Sequence, residues 1–141
     1  MLSADYIIGL IDGEGSFTAY INHDQNPDRK RRVRIEPKFY IKLVEEDKKI
    51  LYQLKECFGC GHVYFQKDSR PNHKDCYRYE VGKREDLRKI IIPFFEKNQL
   101  RLATKKRDYS IFRKIMEAIE KNQHLTSSGL EKLYKLKRKM H

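Results

Sequence analysis

The chain opens on a run that is apolar on nearly every side, Tyr6-Ile7-Ile8-Gly9-Leu10-Ile11, and then changes period. Ser3 stands where an N-cap belongs, Ile7, Ile8, Leu10 and Ile11 follow at helical spacing, and Gly13 and Gly15 predict the helix end. From there the side chains alternate. Ser16, Thr18, Tyr20, Asn22 and Asp24 are polar or amphipathic, Phe17, Ala19 and Ile21 fall between them, and a half-buried strand fits. Asn26-Pro27-Asp28 predicts a turn. A second alternating run puts Lys30, Arg32, Arg34, Glu36, Lys38, Tyr40 and Lys42 on one face. Val33, Ile35, Phe39, Ile41 and Leu43 lie on the other, and Pro37 implies a bulge or an edge position.

Asp47 can cap a helix whose Ile50, Leu51, Leu54, Cys57 and Phe58 form one apolar stripe, closed by Gly59. A hairpin follows: His62, Tyr64, Gln66, Asp68 and Arg70 alternate with Val63 and Phe65, Arg70-Pro71-Asn72 turns, and Cys76 to Val81 returns. The pattern then predicts a helix from about Arg84 to Ile91, broken by Pro93. A longer helix is capped by Thr104, with Tyr109, Phe112, Ile115, Met116 and Ile119 inward. A last one opens on the capping box Ser128-Gly129-Leu130-Glu131. The order is αββαββα with helices appended: an α+β chain, one domain over residues 1–141, whose two hairpins form one antiparallel sheet covered by helices on its apolar face.

Composition sharpens the reading of the other face. Lys and Arg number 31 against 20 Asp and Glu, a formal charge of +11 in 141 residues, which favours a polyanionic partner. That face carries basic side chains, amides, hydroxyls and tyrosines, and a twisted two-stranded ribbon fits the DNA major groove, where such side chains read base edges. No run is long enough for a transmembrane helix, so no membrane partner is expected. Three cysteines and no signal peptide ahead of the first helix predict an intracellular, reducing location (cytoplasm, nucleoid or organelle), not secretion.

Residues Ile7-Ile8-Gly9-Leu10-Ile11-Asp12-Gly13-Glu14-Gly15 resemble the signature of the LAGLIDADG homing endonucleases position for position. Tyr6, Ser16-Phe17, Phe58-Gly59-Cys60-Gly61 and Thr104-Lys105-Lys106 also look like the family, so the resemblance extends over most of the chain. It implies the αββαββα fold of that family, with a saddle-shaped antiparallel sheet. It also implies a metal-dependent endonuclease for double-stranded DNA, encoded in an intron or intein. Having one copy of the signature, the chain would act as a homodimer on a long pseudo-palindromic site, cutting both strands to leave 3′ overhangs.

The resemblance implies roles residue by residue. Ile7, Gly9 and Leu10 would face the same helix of a second copy. Asp12, unfavourable at a helix C-terminus, would hold the turn by hydrogen bonding. Glu14, with the Gly13 carbonyl nearby, would bind Mg²⁺ or Mn²⁺ and serve in catalysis. Lys105, or Lys106 if the register differs by one, would support charge at the phosphodiester. Thr18, Tyr20, Asn22, Arg32, Arg34, Lys38, Tyr40, Tyr64, Gln66, Arg70 and Arg78 would be the DNA readers. Where many members place a Gln or another polar side chain that orders water, this sequence has Leu43. The motif also serves maturases, and an intron-RNA binder with little or no nuclease activity is the alternative function; a DNA-binding regulator without chemistry is a third.

A metal pattern of another kind is also visible. Cys57-x2-Cys60 and His73-x2-Cys76 have nearly zinc-finger spacing. A strand over 62–69 would hold Cys60 and His73 about 26 Å apart, beyond the reach of one zinc ion.

Overall fold

The computed structural model describes residues 1–23 and 33–140. Arg32 and the turn at Asn26-Pro27-Asp28 lie outside the described residues. Helix α1 spans Ala4–Glu14, with the Ser3 hydroxyl accepting the Tyr6 N–H at 3.1 Å. Ile7, Ile8 and Ile11 are buried beneath it. Gly13, expected to help end the helix, lies inside it. Gly15 makes the exit, and crowding rather than a special dihedral demands a glycine there. Its backbone is extended, while a Cβ would stand 2.6 Å from Ile11 Cγ2 and 3.0 Å from the Ile11 backbone.

Strand β1 (Gly15–His23) pairs antiparallel with β2 (Val33–Val44), from Gly15 opposite Ile41 to His23 opposite Val33, without a break. Pro37 therefore sits in no bulge. Strand β4 (Cys76–Val81) pairs with β2 only from Phe39 to Val44, so the N–H that Pro37 lacks costs no bond to β4. Strand β3 (His62–Gln66) completes the order β1-β2-β4-β3 and ends short of the Arg70 expected in it.

Helix α2 (Lys48–Phe58) closes as expected on Gly59 at φ 71°, although Asp47 makes no capping bond with its side chain. The next helix corrects the sequence reading. Pro93 does not break it: α3 (Arg84–Asp86) runs through a wide π turn at Leu87–Ile91 into α4 (Ile92–Lys97). A proline inside an α-helix drops one hydrogen bond and drives its ring toward an earlier carbonyl. A π turn just before it opens that spacing, and the Tyr109 hydroxyl donates to the Ile92 carbonyl at 3.2 Å.

Two helix starts also move. Helix α5 spans Ala103–Glu120, so Thr104 is inside it and does not cap it. Helix α6 spans Ser127–Arg138 and is capped by Thr126, whose hydroxyl accepts the Gly129 N–H at 3.0 Å. The expected box on Ser128 fails because Thr126 already caps the helix, and Gly129 sits so close to the preceding turn that a Cβ would overlap the Gln123 carbonyl.

Helices cover the apolar face of the sheet. Phe17 is the hub of that core, its ring 5.2 Å from Phe39, Phe95 and Tyr109 and 5.4 Å from Phe112. Ala19, Ile35, Ile111, Ile115, Ile119 and Leu133 form a second cluster under α5 and α6. The position just after α1 is thus fixed from several sides, which matters for the groups beside it.

Candidate active site and nucleic-acid interface

Asp12 is buried at the C-terminal end of α1, where the helix dipole disfavours a carboxylate. Its compensation comes from the far end of the sequence. Its oxygens accept the Arg101 N–H at 3.1 and 3.0 Å and the Leu102 N–H at 3.2 Å. Leu102 is the residue at the start of α5, which has no side-chain cap of its own. One carboxylate therefore ties the end of α1 to the positive end of α5. The sequence indicated that Asp12 needed compensation; only the fold identifies the partner.

That tie brings in Lys105, two residues inside α5. Its Nζ donates to the Gly15 carbonyl, at the first residue of β1 and next to Glu14. Lys105 is half-buried, whereas Lys106 is exposed on the next position of the helix. Glu14 is exposed and makes no ion pair among the described residues. It opens onto a cleft shared with Lys42, Asp47, Asp68, Arg70 and Lys74. Arg70 is already bound to Asp68 at 2.7 Å and Lys74 to Glu46 at 2.5 Å. The Arg70 guanidinium and backbone N–H hold the Asp68 carboxyl well below the usual carboxylate range.

As a metal site these groups pass one test and fail another. Among the described residues no group of three or more His, Cys, Asp or Glu stands together, which does not suit a closed zinc site. An exposed carboxylate beside the backbone carbonyl of Gly13 offers hard oxygen donors, the set that suits Mg²⁺ or Mn²⁺ completed by water and phosphate. The zinc-spaced residues belong to separate elements: Cys57 is in α2, Cys60 follows its end, and Cys76 begins β4, opposite Val44 and Gln66.

Leu43, at the position where a polar group was expected, packs against the core under the sheet. Lys42, its neighbour, belongs to the polar face of the strand, and both residues line the Glu14 cleft. Sequence reading put Lys42 on the polar face but did not single it out.

The polar face of the sheet follows from the pairing. Thr18 lies opposite Lys38, Asn22 opposite Arg34, and Lys42, Arg78 and Tyr64 form one cross-strand row. Thr18, Tyr20, Arg34, Lys38, Tyr40, Tyr64, Gln66 and Arg78 thus share one face, and Asn22 holds the register position opposite Arg34. Arg70 does not; it lies in the loop after β3. Several of these side chains are engaged with one another. The Arg78 guanidinium stacks on the Tyr40 ring at 3.6 Å and is 2.8 Å from Glu80, and Lys38 stands 3.2 Å from the same carboxylate. Glu80 was missed as a site residue, because the eleven candidates were all cationic, amide or hydroxyl side chains and an acidic one was not sought.

Comparison with known proteins gives an independent view. A family model described as "LAGLIDADG endonuclease" matches residues 7–116. "Probable intron-encoded endonuclease 3" of Neurospora crassa is 32% identical over 133 residues, covering 94% of this chain and 23% of that protein. Among solved structures, "Crystal structure of a homing endonuclease, I-TnaI" is similar at TM-score 0.82 and 36% identity, covering 99% of this chain and 88% of that one. "I-SmaMI bound to uncleaved DNA target in the presence of Calcium ions" is similar at TM-score 0.85 and 32% identity, over 100% of this chain and 45% of that one. The chain spans less than two thirds of the curated relatives it matches.

Proposed function

Because this chain belongs to the LAGLIDADG endonuclease family, we propose that it is a site-specific endonuclease of double-stranded DNA that acts as a homodimer. Two copies would hydrolyse one phosphodiester in each strand of a long pseudo-palindromic site, leaving 3′ overhangs. The observation that carries this reading is the Lys105 ammonium held on the Gly15 carbonyl, one residue after the exposed Glu14, at one end of a sheet whose outer face is polar and basic.

The geometry supports a division of labour. The sheet face lies in the major groove, and its cations engage phosphates and base edges. Asp12 fixes the start of α5 against α1, so the Lys105 ammonium stays beside Gly15 and adds positive charge where a phosphoryl oxygen becomes more anionic during in-line attack. Lys42 adds a second cation across the cleft. Glu14 and the Gly13 carbonyl would hold Mg²⁺ or Mn²⁺, which when bound supplies an activated water and stabilises the leaving 3′ oxygen.

A dimer is supported by two features. The chain matches about half of I-SmaMI. On the outer side of α1, Tyr6, Gly9 and Gly13 are exposed, and a Cβ at either glycine would meet nothing within 4 Å. Ile7, expected at that interface, is buried in the chain's own core, which leaves Leu10 and the glycines for a partner.

The test is selection of cleaved molecules from a randomised duplex library with Mg²⁺. Recovery of one pseudo-palindromic site supports nuclease and dimer together. Retention of structured RNA in preference to duplex, with no cleavage, would replace this reading with the maturase.

A further inference from the structure

The centre of the sheet's polar face holds a carboxylate with an unused bonding position. Glu80 Oε1 lies 2.8 Å from Arg78 and accepts the Tyr64 hydroxyl at 3.4 Å, while Oε2 accepts Lys38 Nζ at 3.2 Å. An ionised carboxylate has about four lone-pair sites, so one remains on Oε2, beside the lysine. The Lys38 ammonium has three N–H groups and gives one to Glu80. Arg78 is a buttress here. It lies flat on Tyr40, reaches the Tyr20 hydroxyl at 3.4 Å, and its side chain is only 12% exposed, against 25% for Lys38. A neighbouring donor and acceptor, each with spare capacity, are thus held in fixed relation on the outer face.

In the major groove a G·C pair presents guanine N7 and O6 as acceptors and the cytosine amino group as a donor, side by side. With its two spare N–H groups the lysine can donate to both guanine N7 and O6 while the glutamate accepts from the cytosine amino group; an A·T or T·A pair, which presents acceptor, donor, acceptor, cannot satisfy all three bonds. We propose that Lys38 and Glu80 together read one G·C pair in each half of the DNA target, with Arg78 and Tyr40 holding Glu80 in place. This rests on the DNA-cleaving reading above, and it makes the one acidic group of the cluster a specificity determinant and not a spoiler of DNA affinity.

The experiment is the duplex-library selection run with wild type, Glu80→Gln and Lys38→Met, beside thermal unfolding of all three. Wild type should prefer G·C by about tenfold or more at one position per half-site. Glu80→Gln, which keeps the size but turns the acceptor into an amide suited to adenine, should lose that preference or move it to A·T at that position alone. Lys38→Met should lose it at the same position. An unchanged site with Glu80→Gln, or equal loosening at every position, would overturn the proposal while leaving the endonuclease reading intact. Absence of any enriched site with wild type would overturn both.

Discussion

The two polar regions of this protein are built on opposite principles. At the junction of α1, β1 and α5, the two charged groups that flank the exposed Glu14 are held by backbone: Asp12 by the N–H groups of Arg101 and Leu102, Lys105 by the Gly15 carbonyl. On the sheet face the charged groups are held by one another, with Lys38, Glu80, Arg78, Tyr64 and the Tyr40 ring in one cluster. Backbone contacts move only if the fold moves. Side-chain contacts can be exchanged for a base edge or rewritten by one substitution. The first arrangement suits chemistry that is the same at every target; the second suits a surface whose sequence preference can drift.

Apart from loss of Glu14 itself, the largest effect should come from Lys105→Ala. Removing a charge aimed at the reacting phosphate should slow cleavage of a selected site by about a hundred- to a thousandfold, with duplex affinity nearly unchanged in a gel-shift titration. A parallel fall in affinity would move Lys105 to the binding side of the comparison. Gly15→Ala comes next, since its Cβ would press on Ile11 and its backbone; unfolding in urea should show a loss of about 2 kcal/mol. Asp12→Asn keeps the shape and removes the charge that serves the start of α5, and should cost about 1 kcal/mol by the same measurement. If Asp12→Asn left both stability and cleavage untouched, the tie between the helices would have no consequence.

What could be read from the chain follows the same division. The α1 motif lies in consecutive residues, so its carboxylates and the crowded Gly15 were visible together, and alternation alone assigned both faces of β1 and β2. The Asp12 partners are some 90 residues away in sequence, and their backbone N–H groups leave no trace in side-chain pattern. Glu80 becomes meaningful only when β4 is set against β2 in register, and α2 and β3 lie between those two strands in the sequence. Pro93 misled because composition does not announce a π turn, and Ser128 because Thr126, two residues earlier, is also a good cap and is the one used.

Gly9→Leu should have the smallest effect on the folded chain, below about 0.5 kcal/mol, because the site faces open space. Yet light scattering should show the mass fall from two chains to one. An unchanged mass would remove α1 from the interface.

The most direct test of the account is cleavage and binding of one selected duplex by wild type and Glu14→Gln, measured side by side with Mg²⁺. If the junction carries the chemistry and the sheet the recognition, Glu14→Gln should bind with unchanged affinity and leave both strands intact. Full cleavage by Glu14→Gln would contradict the account.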